Sequence, residues 1–223
     1  MARRALLVGI NEYEREPGLR GCINDVSNIR DLLRTYLGFR NEDIRVLVNR
    51  RATRQNIIHR LRLMVNLARP GDFMIFYFAG HGSQIRDRNG DELSDRMDEI
   101  LCPTDMSWDG RFIRDDDLDR IFQPLSTINN ALLEVILDCC NSGTGTRSAG
   151  PSPADPACQP RDVREIRYLP PPYDIVARHE GEIPTLGETR GFRSAHRSTQ
   201  SHILWAASRE DQPAADAPID GTV

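Results

Sequence analysis

The chain contains no lysine, and all 29 of its basic residues are arginine. Any cut made at a basic residue within it must therefore fall at arginine. Excess positive charge is also missing: the formal net charge is −4, which argues against a general nucleic-acid binder, because neutralising phosphates needs clustered cations. No apolar run is long enough to cross a bilayer. Met1 to Ile10 carries Arg3 and Arg4 followed by a short apolar stretch, too short for a secretory leader or a membrane span. The five cysteines, Cys22, Cys102, Cys139, Cys140 and Cys158, are odd in number and show no C-x-x-C spacing. Free thiols in a reducing, cytoplasmic compartment are expected rather than a disulfide framework or a zinc site. A glycine-rich phosphate loop is absent too. The stretch after the first apolar run, NEYEREPG, is acidic and electrostatically wrong for an anion, so a nucleotide-binding βαβ protein is disfavoured.

What is present is a clear alternation. With 223 residues, 39% hydrophobic and 28% charged, a single domain over 1–223 is expected, built on one core with one long insertion. Ala5 to Ile10 reads as a buried strand. Ile23, Val26, Ile29, Leu33 and Leu37 fall at helical spacing, ending at Gly38. Ile44 to Val48 is a second strand. Thr53 caps a helix carrying Ile57, Ile58, Leu61, Met64, Val65 and Ala68, which stops before Pro70-Gly71. Asp72 to Ala79 is a third strand, so the pattern is βαβαβ and predicts a mostly parallel sheet with helices on both faces. A polar excursion comes next, SQIRDRNGDELSDRMDE, then a short extended segment over Glu99 to Pro103. Asp115 is read as the cap of a helix ending at Pro124.

The stretch Ala131 to Gly143, ALLEVILDCCNSG, organises the chain. It reads as a strand buried on both faces, ending in an acid and two cysteines where parallel sheets place chemistry. The third strand likewise runs into Gly80, His81 and Gly82. A thiol needs a neighbouring base to be a thiolate at neutral pH, and a histidine across the strand ends can supply one. Gly82 leaves room for a substrate backbone, and amides at a strand end can face a developing oxyanion. Side chains alternate along a strand, so Ile136, Asp138 and Cys140 project to one side, Leu137 and Cys139 to the other. Cys140 is then the nucleophile and Cys139 a core residue. Asp138, on the same side as the thiol, makes sense as the wall of a pocket for a cationic substrate side chain.

These residues resemble the metacaspases, caspase-like cysteine peptidases. The similarity rests on His81 in YFAGHG, Cys140 in DCCNSG, GCINDV at Gly21 to Val26, the acidic run Asp98 to Asp105, and ASREDQPAAD near the end. It extends from Arg4 to about Asp216. The resemblance implies a caspase-hemoglobinase fold, an α/β/α sandwich. It implies a His81–Cys140 dyad, cleavage of polypeptides after Arg or Lys, and an acidic pocket of Asp25 and Asp138 lined by Cys22. No organic cofactor, nucleic acid or membrane partner is implied, and a monomer is expected. Two departures stand out. Ala79 occupies a position where the family usually has a pocket-lining serine. Asp98, Asp115 and Asp116 match three calcium-binding acids of the family, but a fourth, expected shortly after the nucleophile, is replaced by GTGTR. A Ca²⁺ site short of one carboxylate would be weak.

Simpler roles exist for several of these residues. A cysteine ending a buried strand is often inert core, Asp25 suits a helix first turn, and acids at 115–117 suit a helix start. A caspase-like interaction module without catalysis is the alternative to a peptidase. From Gly143 to about Gln200 there is no sustained period and much Pro, Gly, Ser and Arg. This linker is expected to be self-processed and, uncut, to lie across the pocket as a tethered pseudo-substrate, with Arg147, Arg190, Arg193 and Arg197 as flexible candidate sites. Ser201 to Ala207 reads as a fifth buried strand. An open sheet normally needs more than the residues after Ala207 to complete it, which leaves open a missing C-terminal portion.

Overall fold

A computed structural model describes residues 1–86, 97–140, 165–177, 202–206 and 215–216. Five strands, β1 (Arg3–Gly9), β2 (Ile44–Val48), β3 (Phe73–Ala79), β7 (Leu132–Asp138) and β9 (His202–Ala206), form one wholly parallel sheet in the order β2-β1-β3-β7-β9. The pleat sorts their side chains. Leu6, Val8, Met74, Phe76, Phe78, Leu133, Val135 and Leu137 face one way, onto α2 (Arg54–Asn66) and α3 (Asp115–Phe122). Ala5, Leu7, Ile75, Tyr77 and Ala79 face the other, onto α1 (Cys22–Tyr36). The sheet therefore has helices on both faces, as the alternation required.

Local signals explain the boundaries. Thr53 Oγ1 accepts the Asn56 N–H at 3.2 Å, capping α2. Gly38, at φ 65°, ends α1 in the left-handed region that glycine adopts without a Cβ clash. At α3 the expected cap is displaced by one residue. Arg114 is the N-cap, and Asp115 is the first helical residue, stabilised there by the dipole.

A smaller antiparallel sheet grows from the C-terminal end of β3. It comprises β4 (Gly82–Arg86), β5 (Met97–Leu101) and β6 (Ile113–Arg114), in that order. The start of the polar excursion is thus a strand, with Ser83, Gln84 and Ile85 buried. The long linker also contains structure: β8 (Glu165–Ile166), antiparallel to β10 (Ala215–Asp216), and the short helix α4 (Tyr173–Ala177).

Two strands differ from their sequence expectation. β7 is buried on its Leu133, Val135 and Leu137 face but only half-buried at Glu134, Ile136 and Asp138, because α1 packs over β1, β2 and β3. Among the described residues β9 is the last strand of the sheet order, and Ile203 at 44% and Trp205 at 56% exposure are not buried.

β1 and α1 approach closely at Gly9. A Cβ there would lie 2.7 Å from the Cys22 carbonyl oxygen and 2.7 Å from Val26 Cγ2. Gly9→Ala should therefore destabilise the fold by about 1–3 kcal/mol through overpacking, read as a lower urea midpoint at unchanged slope.

Candidate active site

β3 and β7 pair in parallel with Ala79 opposite Asp138. The pairing continues beyond the strands, since the Gly80 N–H donates to the Asp138 carbonyl at 3.4 Å. Two residues past the matched pair stand His81 on one strand and Cys140 on the other. Both are buried.

The histidine is held from three directions. Its backbone N–H donates to the Tyr13 hydroxyl at 2.7 Å, and the Tyr13 ring lies 4.9 Å from the imidazole, centroid to centroid. Its backbone carbonyl accepts the Cys102 N–H at 3.0 Å. Its Nε2 lies 3.0 Å from the Pro17 carbonyl. A carbonyl can only accept, so Nε2 carries the hydrogen and Nδ1 is the basic nitrogen. The acidic loop after β1 supplies both Tyr13 and Pro17. Asn11, Glu14 and Thr104 pin it: Asn11 accepts the Leu19 N–H, the Glu14 N–H donates to the Thr104 carbonyl, and Thr104 Oγ1 donates to the Glu12 carbonyl. Burial pushes the Tyr13 hydroxyl well above its ordinary pKa, so it stays neutral beside the histidine.

The two cysteines separate as the pleat requires. Cys139 joins the core on the α2 and α3 face. Burial, then the neighbouring Cys140 and Asp138, raise its thiol pKa well above the ordinary value, so it stays an unreactive thiol.

Asp25 and Asp138 converge on a single cation, Arg167. Arg167 Nη2 donates to Asp25 Oδ2 at 2.6 Å, while Nη1 reaches Asp138 Oδ2 at 2.6 Å and the Asp138 carbonyl at 3.2 Å. Asp25 comes from the first turn of α1, Asp138 from the end of β7. Their pairing is a product of the parallel sheet, which sends both the strand end and the helix start to one edge. The Tyr77 hydroxyl donates to Asp138 Oδ2 at 3.0 Å and orients it. Burial, followed by the two nearby carboxylates, raises the Tyr77 pKa, so the proton needed for that bond stays in place. Ala79, fully buried, offers no hydroxyl to the guanidinium. Cys22 is buried in the α1-side core.

The backbone of Arg167 is held as firmly as its side chain. Its carbonyl accepts the Gly82 N–H at 2.9 Å and the Cys140 N–H at 3.4 Å. On the upstream side, Ile166 and Glu165 pair with Ala215 and Asp216 of β10. On the downstream side, the Leu169 N–H donates to the Gly82 carbonyl at 2.9 Å.

A family model described as "Metacaspase, peptidase C14 domain" matches residues 3–147. The chain belongs to the metacaspase family. Metacaspase-3 of Arabidopsis thaliana is 40% identical over 149 residues, covering 64% of this chain and 40% of that protein. Metacaspase-1 of Ajellomyces capsulatus is 32% identical over 244 residues, covering 98% of this chain and 67% of that one. The chain thus spans about two fifths of the length of the Arabidopsis metacaspase. A solved protein of Geobacter sulfurreducens shares the fold at TM-score 0.64 and 19% identity, over 97% of this chain and 76% of its own.

The metacaspase acids named for calcium are placed less favourably. Asp98 on β5 lies 3.4 Å from Arg114 Nε, and Asp116 accepts from Arg120 at 3.3 Å, while Asp115 Oδ1 accepts the Asp116 N–H at 2.9 Å. Among the described residues, no three His, Cys, Asp or Glu side chains group as metal ligands. Among the same residues no helix is long and apolar enough to cross a membrane. Cys158, Arg147, Arg190, Arg193 and Arg197 lie outside the described residues. Arg167, which flexibility alone did not single out because Ile and Tyr flank it, is the linker arginine found at the site among the described residues. Tyr13, Pro17 and Tyr77 were also not singled out, since each acts through a contact more than 45 residues away in sequence.

Tyr13→Phe would leave the buried His81 N–H without its acceptor, at about 1–3 kcal/mol. Peptide turnover should fall by about tenfold or more while the fold is retained, measured by steady-state kinetics beside circular dichroism. Cys140→Ala and His81→Ala should abolish turnover, and Cys139→Ala should keep most of it.

Proposed function

We propose that this chain is a cysteine endopeptidase that cuts polypeptides after arginine, and that the Arg167–Tyr168 bond is its own first substrate. The placement of Arg167 carries this proposal. A guanidinium spans Asp25 and Asp138, each acid engaged by a separate nitrogen of the planar fork. The carbonyl of the same residue faces two backbone N–H groups at the strand ends that bear the histidine and the thiol.

The chemistry is set by those positions. His81 Nδ1 takes the Cys140 proton, and the thiolate sulfur attacks the carbonyl carbon of the arginine. The charge that develops on the carbonyl oxygen is met by the N–H groups of Gly82 and Cys140, which need no reorganisation. Collapse breaks the C–N bond, and the imidazolium returns its proton to the leaving amine. A thioester remains on Cys140. Water, deprotonated by His81, hydrolyses it to a carboxylate and the free thiol. Pro17 and Tyr13 keep the imidazole in the tautomer and position this cycle needs.

Specificity has a plain electrostatic origin. Asp25 and Asp138 stay partly exposed, so a substrate that brings no cation is opposed by less than the about 3–5 kcal/mol of a fully buried broken pair, and one that brings a carboxylate adds a third like charge. With purified enzyme and short fluorogenic peptides, kcat/KM should be highest for Arg and lower for Lys. Asp-ending peptides should be rejected by about 10³-fold. Efficient cleavage after Asp would sink this proposal. Self-processing should yield a fragment beginning at Tyr168, identified by mass spectrometry, and Cys140→Ala should yield none. Arg167→Ala should lose that terminus while still cleaving added Arg peptides.

Calcium stimulation is part of the same proposal, through Asp98, Asp115 and Asp116. Hard carboxylate oxygens suit Ca²⁺, but Arg114 and Arg120 would first have to give way. Titrating calcium into the Cys140→Ala protein should therefore show weak binding, reduced further by Asp98→Asn.

A further inference from the structure

The residue two positions beyond the proposed cleavage bond sits in a built pocket. Leu169 is only 5% exposed. Its side chain joins a cluster with Ile85, Ile100, Cys102, Met106 and Phe112, flanked by Trp108. Those walls come from β4, β5 and the segment between β5 and β6, so the smaller sheet and its connection supply the pocket. The members of the cluster are apolar, with the Glu16 carboxylate acting on Cys102 from nearby. Burial raises the Cys102 thiol far above its ordinary pKa, so it stays neutral and behaves as a small apolar surface.

Backbone contacts fix the register of this pocket against the scissile position. Gly82 donates its N–H to the Arg167 carbonyl and accepts the Leu169 N–H, each at 2.9 Å, forming a parallel bridge with Tyr168. A single residue thus measures the distance from the bond to be cut to the apolar pocket. Both contacts are to main chain, so any extended peptide with arginine between Asp25 and Asp138 would present its second downstream side chain to the same walls.

From this geometry we infer that Ile85, Ile100, Cys102, Met106 and Phe112 form a substrate subsite for the second residue after the cleaved bond. The subsite selects a large aliphatic side chain, Leu, Ile or Met, in any polypeptide substrate. Leu169 fills it in the uncut chain. The subsite rests on the proposal that Arg167 marks the residue before the scissile bond. It goes beyond that proposal by making the sequence after the bond a determinant of cleavage. Fully burying a Leu side chain contributes about 1.5–3 kcal/mol, equivalent to a preference of about 10- to 150-fold over a residue that leaves the pocket empty.

The test uses the whole wild-type chain and internally quenched peptides that share one sequence through Arg-Tyr and differ only in the next residue: Leu, Met, Gly, Asp or Lys. A peptide ending in Arg-coumarin amide, which has nothing beyond the bond to fill the pocket, is measured beside them. Leu and Met should exceed Gly by at least about tenfold in kcat/KM, with Asp lowest. Met106→Ala should shrink the Leu-to-Gly ratio. In the chain itself, Leu169→Asp should slow formation of the Tyr168 terminus. Equal rates across the series with an enzyme that cleaves the coumarin substrate would overturn the subsite alone. An enzyme that leaves the Arg-coumarin peptide intact would overturn both the subsite and the arginine specificity. A preference for Lys or Asp at the varied position would overturn the apolar assignment.

Discussion

The in-register parallel pairing of β3 with β7 is the constraint on which the site depends. Matching Ala79 to Asp138 sends His81 and Cys140 off adjacent strands at the same height, and the Gly80 hydrogen bond carries the match past the strand ends. A one-residue slip would turn Asp138 and Cys140 to the α2 face and bring Cys139 out in their place, because the side-chain period of a strand is 2. Such a slip would carry the Glu134 and Asp138 carboxylates into the α2-side core and turn Leu133, Val135 and Leu137 out of it. The apolar face of β7 therefore guards the register of the polar end.

A second consequence of parallel topology is that all the functional groups share one edge. Right-handed crossovers return each strand in the same direction, so the loop after β1, the start of α1, the Gly80–Gly82 turn and the cysteine turn gather at the C-terminal ends of the strands. Tyr13 and Pro17 come from the first of these, Asp25 from the second. The small antiparallel sheet then extends this edge. Its first residue, Gly82, uses its N–H and carbonyl to hold the backbone on either side of Tyr168.

The charge pattern at this edge is economical. Asp25 and Asp138 are each partly exposed, and without a cation between them they would repel. Arg167 neutralises the pair with one rigid fork, while Tyr77 satisfies a remaining lone pair of Asp138. Elsewhere Arg120 reaches both Asp116 and Asp117 on α3, while Arg114 Nε lies 3.4 Å from Asp98 on the smaller sheet. In a chain without lysine, each of these cations is an arginine. A guanidinium that engages two acids orders side chains as well as balancing charge.

Periodicity alone carried the sequence a long way. The alternation of apolar runs and helical spacing set β1, α1, β2, α2 and β3 within a residue or two, because each element buries a face of its own and its period is local. The pleat of VILDCC separated Cys139 from Cys140 for the same reason. Only tertiary structure decided what depends on distant segments meeting. Among the described residues it left Ile203 and Trp205 exposed on the last strand of the sheet order, since burial depends on what neighbours a strand rather than on its composition. It brought Tyr13 and Pro17 to His81, and Arg167 to Asp25 and Asp138. The placement of Arg167 puts its guanidinium between two acids while its carbonyl meets Gly82 and Leu169 meets the smaller sheet. These three conditions are satisfied together in space and leave no periodic mark in the chain.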